Sequence, residues 1–122
     1  MKQKQKPKVY NDGVCQIVLS KGSKVSDFAA RENDRVKEDF EILYTLPFAE
    51  MSRREQDLEF CEAMGRSLTL KIKTRLVSGV KGTHNVIIAI ADKSVLYSII
   101  NADPDRKNNE LYLYIEEVRE LA

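Results

Sequence analysis

The stretch SLTLKIKTRL, residues 67–76, constrains the fold of this chain more than any other. Leu68, Leu70, Ile72, Thr74 and Leu76 alternate with Thr69, Lys71, Lys73 and Arg75. A period of two places the first set on one face of an extended strand and the second set on the other. A helix would scatter both sets around its axis. One face is therefore expected to be buried, and the other to be basic and wet.

The same period recurs along the chain. VCQIVLS (14–20) reads as a strand with Cys15, Ile17 and Leu19 on one side. In VKEDFEILYTLPF (36–48), Phe40, Ile42, Tyr44 and Leu46 share a face opposite Asp39, Glu41, Leu43 and Thr45. Pro47 cannot donate to a ladder and is expected to end that strand. NVIIAIA (85–91) is a strand that turns at Asp92 and Lys93 into VLYSIIN, and the polar NADPDRKNN then leads to ELYLYIEEV. In this last strand Leu111, Leu113 and Ile115 are expected to face the core, with Tyr112 and Tyr114 outward. The strand before it is apolar on both sides, with Val95, Tyr97 and Ile99 on one and Leu96 and Ile100 on the other. Such a strand needs cover on both faces, from a helix or from another subunit. Tyr97, Tyr112 and Tyr114 are candidates for a subunit interface, because tyrosine joins an apolar body to a wet tip.

One segment breaks the pattern. In SRREQDLEFCEAMG, Ser52 followed three residues later by Glu55 matches a capping box, and Gly65 offers a stop. A helix over 52–64 is expected, with Glu55, Glu59 and Glu62 on one face and Leu58, Phe60, Cys61 and Met64 over the other half. The fold class is mainly β: a small antiparallel barrel or sandwich of five to seven strands with one short α-helix. A length of 122 residues suits one domain over 14–122, preceded by a basic arm over 1–13 with four lysines in its first eight residues. KGSKVSDFAARENDR (21–35) is polar and without period. It reads as a long loop, and such loops in compact domains are often functional. Val25, Phe28, Arg31 and Arg35 are its candidate docking or gating residues.

Chemical motifs are missing from the sequence. His84 is the one histidine, and no nucleophile or orienting acid stands in a recognisable relation to it. Cys15 and Cys61 lie far apart with no zinc-ligand spacing, so two buried thiols in a reducing compartment are expected. SGVKGTH lacks the phosphate-loop pattern and reads as a turn. No catalytic, cofactor or metal residue is assigned, and an enzyme is not expected. A hydrophobic fraction of 43% with 32% charged residues is ordinary for a soluble domain, and a net charge of +1 argues neither for nor against a nucleic-acid or membrane partner. No apolar run follows the N-terminal lysines, and VIIAIA is too short to span a bilayer, so a soluble protein made in a cytoplasm is expected. Lys71, Lys73 and Arg75 form a basic strand face that suits loose contact with a DNA backbone. The outward neighbour Thr69 is not aromatic, so base stacking on this face is not expected.

The order of these elements resembles the head–tail connector, or head-closure, proteins of tailed phages and of prophages in Gram-positive bacteria. The resemblance covers roughly residues 8–118. It begins with KPKVYNDGVCQI and continues through FEILYTLPFAEMSRREQDLEFCEAMGRSLTLKIKTR, where a strand, a turn, a helical segment and a long alternating strand follow one another. It ends with VLYSIINADPDRKNNELYLYIEEV. The resemblance implies a barrel-like subunit that forms a homo-oligomeric ring in the virion. The ring would lie below the portal or an adaptor protein, close the DNA-filled head, contact packaged DNA non-specifically, and present a docking surface to tail proteins. Glu55, Glu59 and Glu62 would then border the channel or the next subunit. No membrane is implied, and assembly would take place in the host bacterial cytoplasm. A tail-terminator or tail-completion ring is the nearest alternative, and a small nucleic-acid-binding barrel is the alternative from another class.

Overall fold

The strands close on themselves. In the computed structural model, which describes residues 9–20 and 40–121, six antiparallel strands form a barrel in the order β1-β2-β3-β6-β5-β4. The elements are β1 (Gly13–Ser20), β2 (Phe40–Met51), α1 (Glu55–Ala63), β3 (Leu70–Arg75), β4 (Asn85–Ile90), β5 (Lys93–Asp105) and β6 (Glu110–Leu121). The barrel is the expected mainly β class, with one helix among the described residues.

The alternation read from the sequence sets the inner face. Cys15, Ile17, Leu46, Phe48, Ile72, Val86, Ile88, Val95, Tyr97, Ile99, Leu111, Leu113 and Ile115 form one buried cluster. β1, β2, β4, β5 and β6 each contribute alternate residues to it and β3 contributes Ile72, with Leu70 packed beside it, as pleated strands lining a barrel do. Burial of such side chains is worth about 1.5–3 kcal/mol each and dominates the stability of the barrel. Cys15 and Cys61 are both buried free thiols, and burial pushes the Cys15 thiol up to about 12.

Bulges redirect the outer face. The β1–β2 register shifts between Ile17 and Val18, so that Ile17 faces Tyr44 and Val18 faces Ile42. An extra residue flips all later side chains to the opposite face. The expected common face of Phe40, Ile42, Tyr44 and Leu46 is therefore split. Tyr44 and Leu46 join the interior, Phe40 joins a separate cluster with Val18, Ile87, Leu96 and Leu121, and Ile42 stays 53% exposed. A second shift in β5, between Ile99 and Asn101, places Ile100 in a third cluster with Cys61 and Leu68, against which Tyr114 packs. Leu96 and Ile100 are thus both buried, the first in the Val18 and Phe40 cluster and the second with Cys61 of α1.

Several expected boundaries move. β2 continues through Pro47 to Met51, because the Pro47 position lies opposite Val14 while β2 pairs with β3 only over Ala49–Met51. The missing N–H at Pro47 therefore removes no bond to β3. β5 likewise runs through Pro104, and its turn with β6 is Arg106–Asn109. β3 spans 70–75 rather than 67–76. Helix α1 starts at Glu55, not Ser52, and the Asp57 carboxylate, rather than Ser52 with Glu55, accepts the Arg54 backbone N–H at 3.0 Å. Gly65 ends it as expected. At φ +72 it donates to the Glu62 carbonyl while Arg66 N–H reaches the Cys61 carbonyl, both at 2.9 Å, the paired bonds of a Schellman stop. The 1–8 part of the basic arm and the 21–35 loop, with Val25, Phe28, Arg31 and Arg35, lie outside the described residues.

Candidate functional site

The outer wall of β3 and β6 carries most of the residues singled out by the sequence. Register pairs Lys71 with Tyr114, Lys73 with Tyr112 and Arg75 with Glu110, which sets a basic row beside an aromatic one. Helix α1 lies against this wall through Cys61, the one buried residue of the helix.

Lys71 was expected to be wet, and it is not: the residue is 7% exposed. Its ammonium meets the Asp57 carboxylate of α1 at 3.0 Å. It also lies 5.8 Å from the Tyr112 ring centre and 5.2 Å from that of Tyr114, within reach of a cation–π attraction. Helix packing covers this stretch of β3, and a covered cation must be paired. Burial alone would lower the Lys71 pKa, but the hydrogen bond and charge of Asp57 outweigh it and hold the value above the usual one. Burial would likewise raise the Asp57 pKa, and the Arg54 N–H and Lys71 ammonium together hold it low. Burial is the main reason the Tyr114 hydroxyl stands above its ordinary range.

The neighbouring groups are also paired. Lys73 reaches Glu110 at 3.5 Å, and Glu110 accepts a 2.7 Å bond from the Tyr10 hydroxyl. Burial first, then the Glu110 carboxylate, pushes the Tyr10 hydroxyl up to about 12. Past the helix, Arg66 donates to Glu116 and to Ser98, both at 2.6 Å. The Ser67 N–H donates to the second Glu116 oxygen at 3.0 Å. The bond from Arg66 is the largest reason the Glu116 carboxyl is held low. Of the basic strand row, then, Arg75 alone is exposed and outside the ion pairs of the described residues, so the charge available to a DNA backbone on this face is smaller than the sequence implied.

Tyr97 is corrected as an interface residue. It is 2% exposed and sits inside the barrel, because residue 97 shares the inward register of Val95 and Ile99. Tyr112 and Tyr114 remain half-buried on the outer wall. Glu55, Glu59 and Glu62 are exposed on α1. His84 is buried, accepts the Lys81 N–H at 3.1 Å on Nδ1, and shapes the 81–84 turn.

Two surface features were not legible from the sequence. Phe60 of α1 and Met64, the residue that caps its C-terminus, are 49% and 50% exposed. Their spacing of four residues puts them on one flank of the helix. At the far end of β3, Leu76, Val77, Val80, Ala102, Pro104 and Leu111 line an open cavity of about 400 Å³, with Arg106 also on its wall. The 76–80 segment is held there by the Tyr44 hydroxyl, which donates to the Ser78 carbonyl at 2.7 Å. Among the described residues no cluster of His, Cys, Asp and Glu could hold a metal ion, and no helix is long and apolar enough to cross a membrane. No family model, curated protein or solved structure matches this chain.

Proposed function

We propose that this protein is a structural subunit of a ring at the head–tail interface of a tailed phage or prophage. In this reading it closes the DNA-filled head below the portal or an adaptor and offers a surface to the tail. The observation that carries the reading is the outer surface of α1. A nine-residue helix that leaves Phe60 and Met64 half exposed is an element with apolar area to give to a neighbour. The sequence resemblance to head-closure proteins, which runs through α1 and its flanking strands, supplies the kind of neighbour. A ring subunit works by shape and by contact, and a rigid closed barrel is a sound platform for both.

The test is light scattering coupled to size-exclusion chromatography, on the chain alone and after mixing with portal-containing heads that lack it. The expected result is that the chain joins the heads in a fixed copy number of a closed ring and reduces DNA loss from them. Failure to join heads, together with DNA binding that weakens steeply with salt, would replace this reading with that of a nucleic-acid-binding barrel.

A further inference from the structure

We infer that copies of this chain associate head to tail, with the Phe60–Met64 flank of α1 seated in the open cavity between the 76–80 segment and the β5–β6 hairpin of the next copy. The inference deepens the ring reading above by naming the two surfaces that would meet.

The two surfaces complement each other in shape. The flank is a helix surface that offers the half-exposed Phe60 and Met64, and the cavity is concave, with Leu76, Val77, Val80, Ala102, Pro104 and Leu111 as its apolar wall and Ser78, Gly79 and Arg106 as a polar share of similar extent. At about 400 Å³ the cavity falls in the size range of sites that take a small organic group, roughly 300–1,000 Å³. An aromatic ring and a thioether chain fit that space, and methionine adapts to irregular walls.

They also complement each other in charge. Glu59 and Glu62 flank Phe60 on an exposed surface and make no ion pair among the described residues. The last turn of α1 holds no basic residue, although a helix C-terminus favours cations. The helix therefore gains nothing internally from Glu62. At the cavity, Arg106 stands on the wall with Lys107 beside it, and Lys81 follows Val80; all three are exposed and outside the ion pairs of the described residues. The nearby acids are Asp103, exposed on β5, and Asp105, which accepts bonds from Asn108 at 3.3 and 2.9 Å. The balance at the rim is positive.

The two surfaces cannot meet within one chain. The helix precedes the first residue of β3 and the cavity begins after its last, six residues on, about 20 Å along an extended strand. A symmetric helix-to-helix contact would instead set Glu59 and Glu62 against their own copies. A contact between two different surfaces of identical subunits propagates, and it gives a ring when the rotation closes.

Cysteine pairs test the contact directly, with Met64→Cys on the flank and Ser78→Cys on the cavity wall. Cys15 and Cys61 are fully buried, and the unsubstituted chain, oxidised alongside, measures any link that Cys61 forms when α1 opens. Under mild oxidation, a mixture of the two single variants is expected to form dimers at least about tenfold faster than either alone, and the double variant a ladder of multimers. The charge swap adds a second readout. Glu59→Lys with Glu62→Lys, or Arg106→Glu with Lys107→Glu, is expected to lower assembly at least about tenfold, and the four changes together to restore it to within about twofold. Cross-linking of Met64→Cys with itself, or no rescue by the combined swap, overturns the inference. Rings on heads without the Met64–Ser78 link sink the inference and leave the ring reading standing. Head-to-tail links in solution by a chain that ignores heads uphold the contact and sink the head–tail reading.

Discussion

Lys71 is the residue whose setting most changes the reading of the chain. A strand position that alternation assigns to solvent lies beneath a helix, and Asp57 neutralises it at 3.0 Å. The two side chains are only 8% and 13% exposed. Lys71→Met should therefore cost about 2–3 kcal/mol, somewhat below the ~3–5 kcal/mol of a fully buried broken pair. Asp57→Asn with Lys71→Met should recover most of that loss, since asparagine can still accept the Arg54 N–H; denaturant titration of the four proteins gives the coupling. The same group sets the acid limb of stability. Asp57 and Glu116 have folded pKa values below their ordinary 3.8 and 4.5. The unfolded chain thus takes up protons first as pH falls. Their contribution is intact above those ordinary values and is lost as pH drops through the lower, folded ones. Unfolding free energies measured between pH 6 and pH 2 should decline in that window, and the decline should be shallower in Asp57→Asn.

Helix α1 is held at its ends more than along its length. Its described anchors are Cys61, the Asp57–Lys71 pair, and the Arg66–Glu116 and Arg66–Ser98 bonds just past its stop. Isolated helices this short are unstable in water, so docking maintains this one. Local opening of α1 should therefore precede opening of the barrel. Cys61, on the helix, and Cys15, inside the barrel, report the two events separately. A thiol reagent applied to the native protein should modify Cys61 well before Cys15, and Lys71→Met should speed the Cys61 reaction while leaving Cys15 unchanged. Equal rates for the two thiols would mean that helix and barrel open together. Ser52 and Glu55 illustrate why the start of this element was misplaced. Their spacing fits a cap, but Asp57 provides the cap and also meets Lys71, a bond that exists only once the helix is docked.

Closure governs the molecule as a whole. β1 completes the barrel by pairing with β4, Ile17 opposite Val86, so the ring of strands shuts through residues far apart in sequence. Closure leaves no strand at the end of an open sheet, although β2 meets β3 only over Ala49–Met51, so the rest of that β2 edge carries no ladder among the described residues. The proposed association uses side-chain surfaces, the α1 flank and the cavity past β3. Non-local pairing of this kind makes folding slow, and stopped-flow refolding should fall in the millisecond-to-second range typical of small all-β domains rather than in microseconds.

Alternation in 67–76, 85–91 and 111–115 was enough to mark the strands and the mainly β class, because the period of two is a local property of an extended backbone; barrel and sandwich both stayed open until the β1–β4 pairing closed the sheet. Gly65 likewise marked the helix stop, since a left-handed residue there needs only its own flexibility. The outer face was beyond such reading. Where Tyr44 and Ile42 part company, where Ile100 turns toward α1, and where Lys71 loses its water depend on bulges and on which element lies over which strand. Those are long-range facts. Tyr97 and Tyr112 look alike in sequence, and only the closed register sends one into the core and leaves the other on the wall. Phe60 and Met64 followed the same rule in reverse. The sequence placed them on the helix half opposite Glu55, Glu59 and Glu62, but of that half Cys61 alone is buried, so the tertiary structure left them as surface.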